Sequence, residues 1–247
     1  MPELGHGTTG AAHGRGSGLL ALTGLLDKVR RLVPTPRRNP FALSYLVVLL
    51  GTTLFSRFGD PALVRRLQEI SSTDGHNLLH RPVVALLLSG LWVAGPVWMP
   101  YLWAFAFTVA PLERRVGGLR AAVAFGAGHV LATLLSQLVV ALGVATGRLG
   151  PAALDSLDIG VSYGVLASLG ALAGLLRPTG RILALAGAGG MIGHQILTDQ
   201  DLVTGVGHPA ALLVGISLWR WLRRGRGRGR PLRLRRLLPG RIAASQA

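Results

Sequence analysis

Two side chains of this 247-residue chain could together carry out nucleophilic chemistry. Ser162 lies at the centre of the Gly-x-Ser-x-Gly spacing of residues 160–164, and His208 follows it 46 positions later. A serine hydroxyl becomes a competent nucleophile when a neighbouring base accepts its proton. Soluble hydrolases hold such a serine on a strand-to-helix turn, whereas membrane helices use serine as an ordinary packing residue. The surrounding elements must decide between these interpretations.

The composition is that of a membrane protein. Half of the residues are hydrophobic, and 26 basic residues stand against only 10 acidic ones. There is no cysteine, which excludes a disulfide framework, thiolate chemistry and cysteine-based metal sites. Lys28 is the only lysine, and this preference for arginine is typical of a GC-rich bacterial genome.

The apolar residues form six blocks, and a membrane span needs about 20 mostly apolar residues. We therefore predict an all-α polytopic membrane protein with six spans, of which the fifth is short and the second is over-long. The blocks are Phe41–Phe58, Val83–Ala110, Leu119–Ala145, Ile159–Leu176, Ile182–Leu197 and His208–Leu222. Because proline kinks or ends helices, Pro96 and Pro100 divide the second block into an interfacial or half-inserted helix, Val83–Ala94, and a span that begins with Val97–Ala110.

The basic residues alternate between the two sides of these spans. Of the 26, 21 fall in the two tails, the second-to-third loop and the fourth-to-fifth loop, while the other loops hold five basic residues and seven acids. Short cytoplasmic loops carry the excess of Lys and Arg. The count predicts that both termini are cytoplasmic.

This topology bears on the two candidate residues. Ser162 lies just inside the start of the fourth span and His208 at the start of the sixth, and both spans begin on the outer, acid-rich side. We therefore expect the hydroxyl and the imidazole at similar depth on two helices that run in the same direction. The serine motif then opens a membrane helix rather than following a strand.

From about Asn39 to Trp221, the chain resembles the rhomboid family of intramembrane serine proteases. Four features match in order: Leu-Glu-Arg-Arg-Val-Gly at residues 112–117, Gly-Val-Ser at 160–162, a Gly- and Ala-rich run behind that serine, and Gly-His-Pro-Ala-Ala-Leu at 207–212. The first of these is similar to the family's Leu-Glu-x-x-x-Gly turn.

The resemblance implies a six-helix bundle with a water-filled cavity open to the outside. It implies a Ser-His dyad without a third member, in which Ser162 is the nucleophile and His208 the general base, with transmembrane helices as substrates. We expect no cofactor. Small residues in the fourth and sixth spans, such as Gly164, Gly170 and Gly215, would let these helices approach closely.

Two departures from the family keep a second function open. Tyr163 follows the serine where the family usually has Gly or Ala, and residues 97–102 lack the His and Asn that the family places on the second span as oxyanion donors. Losing one such donor costs about 100- to 1000-fold in rate. Backbone N-H groups near Ser162 or the Tyr163 hydroxyl are the candidate replacements. The alternative function is a non-catalytic rhomboid-like protein that binds membrane helices.

A third hypothesis is that the protein transports a small molecule, because polar side chains inside membrane spans are candidates for a functional role. These are His129, Gln137, His194 and Gln195. No span contains an acid and no pair of interrupted helices marks a repeat. We therefore predict interhelical hydrogen bonds for these four side chains.

The remaining expectations concern domains, partners and metals. We divide the chain into a basic tail, 1–38, the membrane domain, 39–222, and an Arg-rich tail, 223–247, which attracts anionic lipid rather than nucleic acid. His76 and His80 share a helix face but have no third ligand, so no metal site is expected. The expected location is the inner (plasma) membrane, with transmembrane substrates or clients as partners.

Overall fold

The computed structural model describes residues 34–93, 99–198 and 201–224, and within these ranges the chain is helical with no strand. The predicted all-α class is confirmed. The helices are α1 (Pro40–Phe58), α2 (Pro61–Ser71), α3 (Gly75–His80), α4 (Pro82–Ser89), α5 (Met99–Ala104), α6 (Ala110–Val116), α7 (Gly118–Ala145), α8 (Ser162–Ala173), α9 (Pro178–Thr198), α10 (Leu202–Ser217) and α11 (Trp219–Arg224). A π-helical turn, Phe105–Val109, joins α5 to α6, and a 3-10 turn, Pro151–Asp155, precedes α8. Most of both predicted tails lies outside the described residues.

Three helices among the described residues are long and apolar enough to cross a membrane. They are Pro40–Phe58, Gly118–Ala145 and Leu202–Arg224, the last of which joins α10 and α11. The apolar helix α8 has only 12 residues. Helix length therefore supports the prediction of a membrane protein, which composition alone had suggested.

The second apolar block is divided, as its prolines predicted. Helix α4 ends at Ser89, five residues before the predicted end at Ala94, and the next described helix begins at Met99. Gly90 terminates α4, where its carbonyl accepts a 2.8 Å hydrogen bond from the Tyr45 hydroxyl. From Met99 the chain stays helical through the π turn to the end of α6 at Val116.

The Leu-Glu-x-x-x-Gly turn joins α1 to the start of α7. Glu113 is 2% exposed, and its carboxylate accepts hydrogen bonds from the backbone N-H groups of Phe41 at 2.8 Å and Ala42 at 3.0 Å. The first N-H groups of a helix have no intrahelical partner, so this carboxylate caps α1. Gly117 ends α6 with φ 86°, a left-handed conformation that favours glycine. The motif is thus explained by a helix cap and a turn.

Helix α8 lies at the centre of the fold, and ten of its twelve residues are buried. Small residues let its neighbours approach: a Cβ at Gly128 of α7 would overlap the side chain of Ala167, and a Cβ at Gly215 of α10 would overlap the backbone of Ala167. This packing confirms the predicted close approach of the fourth and sixth apolar blocks.

The C-terminal end of α8 is held by an aromatic and two arginines. The indole N-H of Trp219 donates to the Gly170 carbonyl at 2.7 Å, and Arg223 donates to the Gly174 carbonyl at 2.9 and 3.1 Å. The guanidinium groups of Arg181 and Arg223 lie 5.1 and 5.4 Å from the Trp219 ring. These contacts satisfy carbonyls that the end of a helix leaves without partners.

Candidate active site

Ser162 and His208 are brought together at one end of the bundle. Ser162 is the first residue of α8 and His208 lies in the second turn of α10. The separation between His208 Nε2 and Ser162 Oγ is 3.0 Å. His208 is buried, and Ser162 is half-buried. The arrangement provides a hydroxyl and a base at hydrogen-bonding distance.

A third side chain contacts the imidazole on its other edge. The Oε1 atom of Gln195, near the end of α9, lies 2.8 Å from His208 Nδ1. This interhelical hydrogen bond was predicted for Gln195, but its connection to the serine was missed. The resemblance implied a dyad without a third member, whereas the structure has a Ser162-His208-Gln195 chain of hydrogen bonds. To predict the bond between Gln195 and His208, the sequence would have had to show that α9 packs against α10.

Tyr163 packs against the base. Its ring meets that of His208 edge to face, with centroids 5.5 Å apart, and its hydroxyl donates to the Val203 carbonyl at 3.0 Å. A Cβ at Gly207 would overlap the Tyr163 ring, so the glycine before the histidine makes room for the tyrosine after the serine. The hydroxyl proposed as an oxyanion donor is therefore occupied by a backbone acceptor.

Residues 97–102 correspond to the part of the second span where the rhomboid family has its oxyanion donors. The described part of this stretch, 99–102, brings no side-chain donor to the site. Of residues 97–102, the first two lie outside the described residues. Tyr101 and Leu102 pack against an apolar cluster to which α1, the π turn, α7 and α8 contribute. The N-cap residue of α8 is Val161, which has no polar side chain to cap the first turn. Its backbone N-H groups remain the candidate donors.

The other polar residues inside the apolar blocks differ in their hydrogen-bond partners. His129 of α7 is buried, and its Nε2 lies 3.1 Å from both Ser89 Oγ and the Leu86 carbonyl oxygen, which confirms the predicted interhelical bonding. Gln137 bonds instead to Asp158 in the loop before α8. His194 is exposed. None of the three contacts the Ser162-His208 pair through a hydrogen bond.

Asp158 fastens the loop that leads into α8. Its Oδ2 accepts hydrogen bonds from Gln137 Nε2 and Thr73 Oγ1, each at 2.9 Å, and its backbone N-H donates to Ser72 Oγ at 3.0 Å. Burial raises the pKa of the Asp158 carboxyl above its ordinary value, although the two hydrogen bonds to its side chain oppose that rise. Two residues further on, Gly160 N donates to the Ser89 carbonyl at 3.0 Å. The approach to Ser162 is therefore anchored on α7, on α4 and on the segment between α2 and α3.

His76 and His80 stack on one face of α3. Their ring centroids lie 4.3 Å apart, and His80 Nδ1 lies 2.9 Å from the His76 carbonyl oxygen. In the part of the chain that the structure describes, no three His, Asp or Glu side chains are grouped to hold a metal ion. Both histidines are exposed.

The chain matches the model of a known protein family. A family model described as "Rhomboid-like protein" matches residues 36–229. No curated protein and no solved structure matches the chain significantly. The matched range includes α1 to α11 and therefore every residue of the site.

Proposed function

Because the chain belongs to the rhomboid-like protein family, we propose that it is an intramembrane serine protease that cleaves transmembrane protein substrates. Ser162 is its nucleophile and His208 its general base. The proposal is carried by the 3.0 Å separation between His208 Nε2 and Ser162 Oγ. A general base must lie within hydrogen-bond reach of the proton that it removes.

In the proposed reaction, Ser162 Oγ attacks the carbonyl carbon of the scissile peptide bond while His208 Nε2 takes the hydroxyl proton. The imidazolium then gives that proton to the leaving amine, the C–N bond breaks, and an ester on Ser162 remains. A water molecule, deprotonated by His208, attacks the ester. Return of the proton to Oγ releases the carboxylic acid product and restores the hydroxyl.

Each tetrahedral intermediate carries a negative oxygen that needs hydrogen-bond donors. With the Tyr163 hydroxyl bonded to Val203, we assign this role to the backbone N-H groups at the start of α8. The first N-H groups of a helix have no intrahelical partner, and the helix dipole favours negative charge there. The N-cap residue, Val161, has no polar side chain that would compete for them.

The proposed site lies below the membrane surface. Trp side chains are enriched at membrane interfaces and Arg side chains in cytoplasmic loops, and Trp219, Arg181 and Arg223 surround the C-terminal end of α8. A helix of 12 residues rises only about 18 Å, compared with about 30 Å for the hydrocarbon core. Ser162 would then face a water-filled, protein-lined cavity, because lipid does not admit the water that hydrolysis needs.

We further propose six spans in the inner (plasma) membrane, with both termini cytoplasmic and Ser162 near the outer side. Since the chain has no cysteine, single cysteines can report each side. Ser156→Cys, in the loop before α8, should react with a membrane-impermeant maleimide in intact cells. Thr179→Cys, at the start of α9, should react only after permeabilisation. The reverse pattern would refute this topology.

Labelling of the purified protein by a fluorophosphonate tests the catalytic proposal. We expect the wild type to be labelled and Ser162→Ala and His208→Ala to lose labelling. Ser168→Ala is the matched control, because Ser168 also lies in α8 but bonds to the Gly164 carbonyl instead of a base. Absent labelling, or labelling unchanged by both substitutions, would remove the protease proposal.

The second candidate function is a non-catalytic rhomboid-like protein that binds membrane helices. Two observations favour it: Tyr163 directly follows the serine, and Met99–Leu102 bring no side-chain donor to the site. In that case Ser162→Ala would leave the protein's effect on its clients unchanged. A transporter is less well supported, since His129, Gln137 and Gln195 are engaged in hydrogen bonds within the protein.

With either function, the basic C-terminal segment is available to bind lipid. Residues 225–247, which lie outside the described residues, follow directly after α11 and are rich in arginine. Basic residues next to a membrane attract anionic lipid by about 1 kcal/mol each. We propose anionic lipid, and no nucleic acid, as the partner of this segment.

A further inference from the structure

We propose that Gln195 is a positioning residue, which holds His208 in the tautomer that leaves Nε2 free to accept the Ser162 proton. The proposal deepens the function proposed above and rests on it for its kinetic part. It starts from two distances on opposite edges of one imidazole ring. Gln195 Oε1 lies 2.8 Å from Nδ1, and Ser162 Oγ lies 3.0 Å from Nε2.

The chemistry of the three groups sets the direction of both hydrogen bonds. A neutral imidazole has one N-H group and one acceptor nitrogen, and an amide oxygen can only accept. The bond to Gln195 Oε1 therefore requires the proton of His208 on Nδ1. Nε2 then carries the lone pair and accepts from the Ser162 hydroxyl. This is the tautomer that a general base needs, and the opposite tautomer would make Nε2 a donor to the serine.

The surroundings of the ring restrict the alternatives. Tyr163 packs edge to face on the imidazole at 85°, so rotation of the ring is opposed by a buried neighbour. Gln195 is half-buried, and it reaches His208 from a different helix, α9. Only Ala188 and Ile192 of α9 are buried, so few other contacts tie this helix to the fold. The hydrogen bond between Gln195 and His208 also attaches α9 to α10. The experiment must therefore distinguish a role in setting the tautomer from a role in attaching the helix.

Three variants, two at Gln195 and one at His194, distinguish the tautomer role from the structural role. Gln195→Met keeps an unbranched side chain of similar length and removes the acceptor, whereas Gln195→Glu keeps the acceptor. His194→Ala, one residue earlier on α9, removes an exposed polar side chain that makes no hydrogen bond to His208. If Gln195→Met lowers the yield of folded protein, Gln195→Asn replaces it, because the shorter side chain withdraws the amide from His208 by one methylene.

The first measurement is the tautomer of His208 by 15N NMR of histidine-labelled full-length protein, assigned by comparison with His208→Ala. We expect the wild type, Gln195→Glu and His194→Ala to carry the proton on Nδ1. Gln195→Met should shift population to the Nε2-H tautomer. A purely structural role of Gln195 predicts no change of tautomer, and an unchanged spectrum of Gln195→Met would overturn the proposal.

The second measurement is the rate of fluorophosphonate labelling of Ser162. Loss of one hydrogen bond to the imidazole should slow Gln195→Met about tenfold, with the rate restored in Gln195→Glu and unchanged in His194→Ala. A wild type that is not labelled, with a tautomer that still depends on Gln195, refutes the protease proposal and retains this one. A labelled wild type with Gln195→Met reacting equally fast refutes this one alone.

Discussion

Tyr163 and His208 meet edge to face, with ring centroids 5.5 Å apart and ring planes inclined by 85°. The tyrosine lies directly after the candidate nucleophile, and its hydroxyl bonds to Val203 on the helix that carries the candidate base. Aromatic pairs in this geometry add about 0.5–1.5 kcal/mol beyond the burial of their area. The bulky residue at this position therefore supports the imidazole from the side.

Gly207→Ala should disturb this contact. The added Cβ would overlap the Tyr163 ring, and overpacking of this kind costs about 1–3 kcal/mol. We expect a lower thermal unfolding midpoint in detergent and slower labelling of Ser162. A double-mutant cycle with Tyr163→Ala should be strongly non-additive, because without the ring the methyl group has space.

Gly205→Ala is the matched control for that substitution. It lies two residues earlier on α10, and its Cβ would meet only Ile196 Cγ1 at 3.7 Å, an ordinary contact. It should leave the unfolding midpoint unchanged or raise it slightly, since alanine is the better helix former. Equal losses in Gly205→Ala and Gly207→Ala would contradict the specific role of the Tyr163 ring.

Glu113→Gln should destabilise the fold. Both carboxylate oxygens accept from the first turn of α1, and an amide can offer only one acceptor atom there. Hydrogen bonds to charged groups contribute about 1.5–3 kcal/mol each. We expect a clear fall in the unfolding midpoint measured by circular dichroism in detergent. Glu69→Gln, an exposed acid on α2, should have little effect, and similar losses in both variants would argue against the cap.

Asp158 should make stability depend on pH. Its folded-state pKa is raised above the ordinary value of 3.8, mainly by burial, so the folded protein binds this proton more tightly than the unfolded chain does. The free energy of unfolding should therefore fall as pH rises from about 3.8 through the raised pKa. Thermal unfolding midpoints across this range should have a flatter pH profile in Asp158→Asn.

Asp155→Asn provides the comparison for Asp158, because Asp155 is an exposed acid only three residues earlier. It should keep the pH profile of the wild type. The prediction fails if Asp158→Asn also keeps that profile, or if both variants flatten it equally.

Arg223→Gln should loosen the C-terminal end of α8. The guanidinium donates twice to the Gly174 carbonyl and lies over the Trp219 ring, but the side chain is largely exposed. We therefore expect a loss of only about 1 kcal/mol, measured as a lower unfolding midpoint. Arg224→Gln removes the same charge from the neighbouring residue and should not change the midpoint. A loss shared by both variants would point to charge rather than to the contact.

Much of this protein could be predicted from its sequence because a bilayer constrains a chain in simple ways. Apolar blocks, proline breaks and alternating basic loops follow from the thickness and polarity of the membrane. They led to helical apolar blocks, a divided second block, and the expectation that Ser162 and His208 lie close together, which they do at 3.0 Å. Helix boundaries were less accurate, since Gly90 ends α4 through a bond to Tyr45 from a distant helix.

What only the tertiary structure decided is which side chains from unconnected helices meet at the site. Gln195 and His208 approach through the packing of α9 on α10, and Tyr163 fits because Gly207 leaves space for its ring. Periodicity and composition place a residue at a depth and on a helix, but they carry no information on how each helix is rotated. That rotation comes from contacts between small residues across helices, and it turned two predicted residues into a connected chain of three.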